Sequence, residues 1–458
     1  MVRGGDVVLA SGVRPRADLV IRDGRIAAIG DTGAAGPAGA RVIDARGRVV
    51  LPGVVDPHVH VDTPGPADKP LGVYADAFES MSRAAVFGGV TTVVPFVFAS
   101  GPEDPARYVE RYRAAAEAEA WCDFGFHFGI VREADVDAIP AVVQAGVRSF
   151  KAIMDYKKQG IMASDGLLVR AMREVGRHRG LMMVHAEDGE LIDALEEVAR
   201  ERGDRTPPAY ARTRPAAAEH IAVLRALTLA READCALYIV HLSTREGLQA
   251  ARAARGRGQV VLVETCPHYL LLTDAELEPD RLGPLAKIGP PLRQALDGEA
   301  LWAAVADGGV DLVGSDHAPR RRADKLIGLR DIFAAPFGGP GLETLLPVLF
   351  HAFTARGLPL TLLARLLSEM PARVFGCFPR KGTVAVGADA DLVIVDPDAE
   401  WTVDPEGLQT NAKYSLWAGR RVRGRPVTTL VRGRPAVLDG EAEDTRGWGR
   451  FLPHGPDS

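Results

Sequence analysis

Cysteine is scarce in this chain, with four in 458 residues, and the four stand far apart without a C-x-x-C pair. No apolar run is long enough to span a bilayer, and the N-terminus has no apolar signal core. The spacing gives no sign of a disulfide framework. We therefore expect a reduced, cytoplasmic protein without a membrane partner; its cysteines are Cys122, Cys235, Cys266 and Cys377.

The chain also has no large excess of either positive or negative charge. Lys and Arg total 55 against 60 Asp and Glu, a net charge of -5, which provides no electrostatic footprint for nucleic acid or an anionic membrane. A small-molecule substrate fits this balance better. With 47% hydrophobic and 25% charged residues, the chain is expected to be globular, with one large core and a smaller accessory domain.

Both ends of the chain have short apolar runs separated by Gly and Asp turns, as in residues 18–26 and 381–395. This texture is typical of small antiparallel strands and hairpins. We predict that residues 1–51 and 378–438 form one discontinuous β-sandwich domain. A polar tail over 439–458 would then be free to pack on a neighbouring subunit.

The middle of the chain, residues 52–377, alternates strand-like and helix-like segments eight times. Eight such alternations in this length match an α/β fold of the (β/α)8 TIM-like barrel type. A doubly wound sheet is less favoured because no G-x-G-x-x-G follows the first strand. The predicted strands lie near 52–60, 89–98, 122–131, 146–154, 180–186, 235–243, 259–266 and 310–316.

Metal-binding residue types occur at the ends of several predicted strands. His58 and His60 are two apart on the first strand, so their side chains point the same way. Taken singly, each histidine could equally be a core or surface residue that binds no metal. In a barrel, however, the C-terminal strand ends meet at one mouth, and the shared position of these residues predicts a metal hydrolase. The candidate ligands are His58, His60, Lys151, His185, His241 and Asp316.

Lys151 follows an apolar strand, where a buried and unpaired ammonium would be costly. One solution is deprotonation, because the neutral amine can react with carbon dioxide to form a carbamate, an anionic donor able to bridge two cations. The other is a side chain that reaches solvent. The spacing alone leaves both open.

Motifs along nearly the whole chain resemble the amidohydrolase superfamily, in the cyclic amidase branch of dihydropyrimidinases, hydantoinases, allantoinases and dihydroorotases. Three shorter motifs, AVFGG at 85–89, TRP at 213–215 and PRKG at 379–382, are most similar to the hydantoinase and dihydropyrimidinase group. The motifs that carry the wider resemblance are PGVVDPHVH at 52–60, FKAIMDYK at 150–157, MVHAE at 183–187, TCPHYL at 265–270, GSDHAP at 314–319 and GPGLET at 339–344.

The resemblance implies a site with two zinc ions. His58, His60 and Asp316 would hold the more buried ion, His185 and His241 the second, and an N6-carboxylated Lys151 would bridge both. A hydroxide shared by the two ions would attack a cyclic amide such as a hydantoin or dihydropyrimidine. Asp316 would act as base and then acid, and the Tyr156 phenol would donate to the developing oxyanion.

Some positions depart from the hydantoinase pattern. Gly289 and Phe337 stand where Ser and Asn are common near the substrate, and Asp155 replaces a small residue. Asp62 agrees with hydantoinases and is expected to contact substrate, and the absence of an arginine just after the His-x-His pair argues against dihydroorotate.

Other functions stay open at this stage. Residues 62–65 and 287–291 also resemble allantoinase. A non-catalytic dihydropyrimidinase-like scaffold is a further alternative, although every expected ligand is present. Family members usually form dimers or tetramers, so we expect a homodimer or homotetramer.

Overall fold

The computed structural model describes residues 1–31, 39, 41–61, 74–99 and 103–455. Within these ranges, no helix is both long and apolar enough to traverse a bilayer. All four cysteines are buried and free of disulfides.

The chain begins with strands, continues through alternating strands and helices, and ends with strands again. The first group is β1 (Val2–Leu9), β2 (Gly12–Arg22), β3 (Arg25–Gly30), β4 (Ile43–Asp44) and β5 (Val49–Pro52). The middle group is β6 (Val54–Val59), α1 (Phe78–Phe87), β7 (Val90–Val97), α2 (Pro105–Glu119), β8 (Asp123–Phe124), β9 (His127–Gly129), α3 (Glu133–Asp137), α4 (Ile139–Gln144), β10 (Ser149–Ile153), α5 (Asp165–Arg177), β11 (Leu181–His185), α6 (Gly189–Glu201), α7 (Pro207–Thr213), α8 (Ala216–Glu232), β12 (Ala236–Ile239), α9 (Arg245–Gly256), β13 (Val261–Thr265), α10 (Pro267–Leu271), α11 (Ala295–Asp307), β14 (Leu312–Val313), α12 (Arg322–Leu326), α13 (Leu345–Arg356), α14 (Leu360–Ala364) and α15 (Met370–Val374). The last group is β15 (Leu392–Thr402), β16 (Arg421–Val431), β17 (Arg434–Leu438) and β18 (Glu441–Ala442).

Strands β6 to β14 form a parallel sheet in barrel order, β14-β13-β12-β11-β10-β9-β7-β6, with β8 beside β7. The predicted third strand is therefore two short pieces, β8 and β9. The ends of the sheet approach each other through His317, whose carbonyl accepts from His60 N (2.7 Å) and whose N donates to His58 O (3.2 Å). This contact sets the chain after β14 beside the end of β6.

Helices cover the outside of this sheet. In α5, for example, Leu168, Ala171, Met172 and Val175 are fully buried, which is the spacing of one helix face. The helix begins at Ser164, whose side chain accepts from Leu167 N as an N-cap. The same alternation of buried strand and one-sided helix repeats around the barrel.

The remaining strands form a second sheet in the order β18-β17-β16-β15-β5-β1-β2-β3, with β4 beside β1. Strands from the two ends of the chain meet where β5 pairs with β15 in antiparallel fashion. The prediction of a TIM-like barrel with a strand-rich unit formed by both termini is confirmed. Hydrogen bonds join all strands of that unit into one sheet.

The C-terminal segment packs on the barrel of its own chain. Leu452 N donates to Phe124 O (2.7 Å) and His454 N donates to Gly146 O (2.9 Å). Gly146 precedes the N-terminal end of β10, and Phe124 belongs to β8, the first piece of the third barrel strand. Both acceptors therefore lie away from the end where strand-end side chains converge. Through residue 455, the tail covers this side of its own barrel; its packing on a neighbouring subunit stays a prediction.

Candidate metal centre

The His-x-His pair lies at the C-terminal end of β6, next to Asp316. His58 Nε2 is 3.1 Å and His60 Nε2 is 3.6 Å from Asp316 Oδ1. Ligand atoms of the three side chains all lie within 4.8 Å of one another. This spacing places two imidazoles and one carboxylate around a single point.

A second pair of histidines stands beside this group. His185 is the last residue of β11, and His241 follows β12. His185 Nδ1 and His241 Nε2 are 3.1 Å apart, and the rings of His241 and His58 are 5.2 Å apart. The two groups of candidate ligands are therefore neighbours.

Lys151 lies in β10 and is 3% exposed. Its Nζ is 5.0 Å from the centre of the Phe96 ring, and no carboxylate of the described residues is within ion-pair distance. Burial lowers the pKa of Lys151 to about 7, which makes the neutral amine accessible near neutral pH. Of the two alternatives from the sequence, the side chain is enclosed with the histidines and does not extend into bulk solvent.

Two buried carboxylates orient the histidines toward this point. Glu264 Oε1 accepts from His58 Nδ1 (2.6 Å), and Glu187 Oε2 accepts from His185 Nε2 (2.9 Å). In the neutral form of each ring, the hydrogen bond places the proton on the outer nitrogen and leaves the lone pair on the inner one. Burial opposes protonation of His58, but Glu264 and Asp316 outweigh it and raise its pKa to about 9, so a bound cation would take the place of the proton on the inner nitrogen. His58 Nε2, buried at that inner position, makes no hydrogen bond.

The charge states also suit metal binding. Burial lowers the pKa of His60 to about 4 and that of His241 well below its usual value, so both rings are neutral. Burial opposes ionisation of Asp316, but His58 and His60 outweigh it and hold the pKa of this carboxyl well below the usual value. Neutral imidazoles and an ionised carboxylate are ligands for divalent cations, and this site can hold such ions.

Three of the predicted residues have left-handed backbone conformations. The φ angles are 64° at Tyr156, 39° at His241 and 47° at Asp316. Non-glycine residues seldom adopt this region, and such strain is concentrated at functional sites. The fold therefore imposes a backbone cost at these positions while directing their side chains toward the cavity.

A cavity of about 530 Å³ opens in front of these side chains. Tyr156 lines it, its hydroxyl is buried without a hydrogen-bond partner, and burial raises its pKa well above the usual value, so the phenol keeps its proton. Gly289 and Phe337 line the same cavity. Asp62 lies outside the described residues.

Asp155 points away from the cavity. Its carboxylate pairs with Arg214 (2.7 Å), which also pairs with Glu187 (2.7 Å). Sequence reasoning left the direction of Asp155 open and did not identify Glu187 or Glu264 as partners of the histidines. A signal for Glu264 existed, because it is an acidic residue inside the apolar run 260–265.

The site and the fold agree with comparisons to known proteins. A model of the Amidohydrolase family matches residues 49–436. D-hydantoinases from Streptomyces coelicolor and Ralstonia pickettii are 38% and 36% identical over 99% of this chain, covering 97% and 98% of their own lengths. The crystal structure of dihydropyrimidinase from Brevibacillus agri superimposes with a TM-score of 0.93 at 34% identity, covering 100% of this chain and 99% of that one.

This chain belongs to the amidohydrolase family. The resemblance to its hydantoinase and dihydropyrimidinase group, predicted from the motifs, is confirmed, as is the prediction of an enzyme of this class.

Proposed function

We propose that this protein hydrolyses the ring of a cyclic amide, a hydantoin, a dihydropyrimidine or a related imide, with two divalent metal ions, most simply Zn²⁺. The observation that carries the proposal is the meeting of six side chains from five barrel strands beside one cavity. Four of them are histidines, whose ring nitrogens face one another, and the others are Lys151 and Asp316.

The proposed ligand assignment follows the two groups seen in the geometry. His58, His60 and Asp316 would hold one ion, and His185 and His241 the other. Lys151 lies between the groups in strand order and lines the same cavity. A carbamate on its neutral amine would supply the bridging anionic oxygens that a lysine itself lacks.

Two bound divalent ions would polarise the amide carbonyl and lower the pKa of the attacking water. Asp316, ionised in the folded protein, would accept the proton released as that water adds to the carbonyl carbon. It would then return the proton to the ring nitrogen as the C–N bond breaks. Tyr156, which keeps its proton, would donate a hydrogen bond to the carbonyl oxygen as negative charge develops there.

The shape of the cavity suits a small ring with an apolar substituent. Aromatic and aliphatic side chains form much of its wall, while the candidate ligands lie at its inner end. Gly289 has no side chain, but its main-chain groups can still form hydrogen bonds with the amide edge of a substrate ring. The apolar wall residues are Val61, Tyr74, Phe96, Phe98, Ile153, Ile161 and Phe337.

The proposal is tested by removing metal with a chelator and restoring Zn²⁺ with bicarbonate while assaying hydantoin and dihydrouracil. Activity should disappear and return. Asp316→Asn should lower kcat by roughly 10²- to 10⁴-fold in protein shown by metal analysis to retain both ions. Full activity in that variant would rule out Asp316 as the proton carrier.

Allantoin is the second candidate substrate, because residues 287–291 resemble allantoinase as well. Turnover of allantoin above that of hydantoins and dihydrouracil would favour it. Protein that binds no metal after reconstitution with bicarbonate would instead indicate a non-catalytic scaffold. We also propose assembly as a homodimer or homotetramer, which sedimentation of the purified chain would test.

A further inference from the structure

Tyr156 keeps its place in the cavity wall without a hydrogen bond from its own hydroxyl. Its backbone is left-handed, with a φ of 64°, a conformation that a residue with a side chain keeps only when its surroundings determine it. The ring and the backbone must therefore be held by neighbouring residues. Stacking on Phe337 at 4.5 Å holds one face of the ring, and the residue before Tyr156 supplies a second connection.

That residue, Asp155, is directed into the protein and is 2% exposed. Its carboxylate pairs with the Arg214 guanidinium at 2.7 Å. It also lies close to the start of α6, because a Cβ added at Gly189 would stand 3.0 Å from Asp155 Oδ1 and 3.1 Å from Asp155 Cα. An ion pair and a close backbone approach thus fix the residue that precedes the phenol.

Arg214 connects this aspartate with the candidate metal ligands. Its Nη1 also pairs with Glu187 at 2.7 Å, and Glu187 accepts from His185 Nε2 (2.9 Å). The guanidinium carbon is 5.3 Å from the centre of the Tyr156 ring and 5.2 Å from that of Tyr210, distances at which a cation is attracted to an aromatic ring. One buried guanidinium therefore contacts the phenol ring, the residue before it and the carboxylate that orients His185.

The two carboxylates beside Arg214 allow one of them to be changed without leaving a buried charge alone. When the charge of Asp155 is removed, Arg214 is still paired with Glu187, so the guanidinium keeps a counter-ion and the protein should still fold. Asparagine also keeps the shape of the aspartate beside Gly189. Such a change weakens the connection from Arg214 to the segment of Tyr156 and leaves the hydrogen bond between Glu187 and His185 in place.

We propose that Asp155 is a positioning residue, which through its ion pair with Arg214 holds Tyr156 where the phenol can donate to the carbonyl oxygen of the substrate. The inference rests on the proposed function, in which Tyr156 is that donor. A donor stabilises a developing oxyanion best when it is already fixed at the right place, and this interaction is stronger in the transition state than with bound substrate. A loosened Tyr156 should therefore lower kcat and leave KM nearly unchanged.

The kinetic test uses Asp155→Asn in the metal-loaded enzyme, with whichever of hydantoin, dihydrouracil and allantoin the wild type turns over fastest. Its kcat should fall by roughly tenfold, less than the loss of roughly 10²- to 10³-fold expected when an oxyanion donor is removed, and KM should stay near the wild-type value. In Tyr156→Phe, which lacks the hydroxyl, the same substitution should lower kcat no further, because both changes act on one interaction. An effect on folding or metal content would instead lower kcat equally in both backgrounds.

Hydrogen exchange of the same metal-loaded proteins gives a readout that does not depend on turnover. The amides of Gln159 and Ala163 donate to Tyr156 O (3.1 Å) and Ile153 O (2.7 Å), so they report on the segment that holds the phenol. Their exchange should be faster in Asp155→Asn than in the wild type, because local opening of this segment becomes easier. Exchange in β7 should not change.

Asp311→Asn is the matched control, because Asp311 also pairs with an arginine, Arg255, but directly precedes β14 at the opposite end of the barrel strands from the cavity. It should change neither kcat nor exchange in residues 156–163. Wild-type kcat or unchanged exchange in Asp155→Asn, or an equal loss of kcat in both backgrounds, would overturn the inference.

Failure of the inference can be told apart from failure of the proposed function. Activity lost in Tyr156→Phe but kept in Asp155→Asn would overturn the inference alone. Full activity in Tyr156→Phe would remove the proposed role of Tyr156 and the inference with it. A wild type that hydrolyses none of the three compounds would contradict the proposed function and the inference together.

Discussion

Phe337, Arg214 and Gly289 together surround the Tyr156 ring. Phe337 stacks on one face of its ring, and the Arg214 guanidinium lies over the ring at 5.3 Å. At Gly289, an added Cβ would stand 2.5 Å from the Tyr156 hydroxyl oxygen and 3.7 Å from the Phe337 ring. The absence of a side chain at 289 and the presence of a ring at 337 thus determine together where the phenol lies.

Gly289→Ser should therefore lower kcat/KM for hydantoin by roughly tenfold to a hundredfold, because the phenol is displaced from its position as a hydrogen-bond donor. The double variant Gly289→Ser/Phe337→Asn should recover part of the loss, since removing the stacked ring lets Tyr156 move. A kinetic double-mutant cycle measures this coupling.

Gly256→Ser is the control for these variants, because a Cβ there would meet nothing within 4 Å. It should leave kcat/KM near the wild-type value. Unchanged activity in Gly289→Ser would show that Tyr156 tolerates displacement and would argue against its role as the oxyanion donor.

The sequence predicted which residues belong to the site better than it predicted which side chains they contact. His185 and Asp316 were predictable because each follows a strand-like run in a repeating pattern. The pairing of Asp155 with Arg214 was not, because the two residues are 59 apart in sequence and meet only after the barrel has folded. Local periodicity contains no information on such contacts.

At the scale of elements, β13 links three strands through one side chain. Glu264 is fully buried, accepts from Tyr238 Oη of β12 (2.6 Å) and His241 N (3.1 Å), and bonds His58 of β6. A strand that contributes no proposed ligand therefore positions residues on both sides of the centre.

We predict that Glu264→Gln weakens metal binding by roughly 10- to 100-fold, the usual cost of altering a group that orients a metal-ligating histidine. The amide retains the shape of the carboxylate but loses its charge. Competition with a chelator of known affinity measures the change. Glu299→Gln is the control, because Glu299 lies on α11 with a side chain 65% exposed. Equal metal affinity in both variants would refute the orienting role of Glu264.

The elements themselves were largely predictable, and the exceptions have physical causes. All eight predicted barrel strands occur, since apolar runs between helix-like segments are a strong local signal. The third is divided into β8 and β9, where Gly125 separates the pieces; its N donates to Val93 O (3.0 Å). The break depends on pairing with β7, which residues 122–131 alone cannot reveal.

At the scale of the whole molecule, the barrel and the terminal sheet are joined by buried charges. The Lys381 ammonium, fully buried, contacts Asp123 of the barrel and Asp391 of the terminal region, each at 2.5 Å. Asp123 also pairs with Arg432, the residue directly after β16. Opposite charges from both units compensate one another there, and removing one partner would leave a buried charge unpaired.

The C-terminal segment adds a second connection on the same side. The Phe451 ring is 5.5 Å from Phe126 and 6.0 Å from Phe124, and Arg148 N donates to His454 Nδ1 (3.0 Å). The partner of this tail was not predictable from its composition, because a polar segment without periodicity fits many surfaces equally well.

Phe451→Ala should reduce the free energy of unfolding by roughly 3 to 5 kcal/mol, as for other buried phenylalanines, and should lower Tm at fixed metal concentration. KM for hydantoin should not change, because the tail lies at the opposite end of the strands from the cavity. Phe451→Leu, which keeps most of the apolar volume, should lose less than about 1.5 kcal/mol. Sedimentation of the same variants separates the two positions considered for the tail: a tail on its own barrel predicts wild-type assembly in Phe451→Ala, whereas dissociation on dilution would place it at a subunit contact.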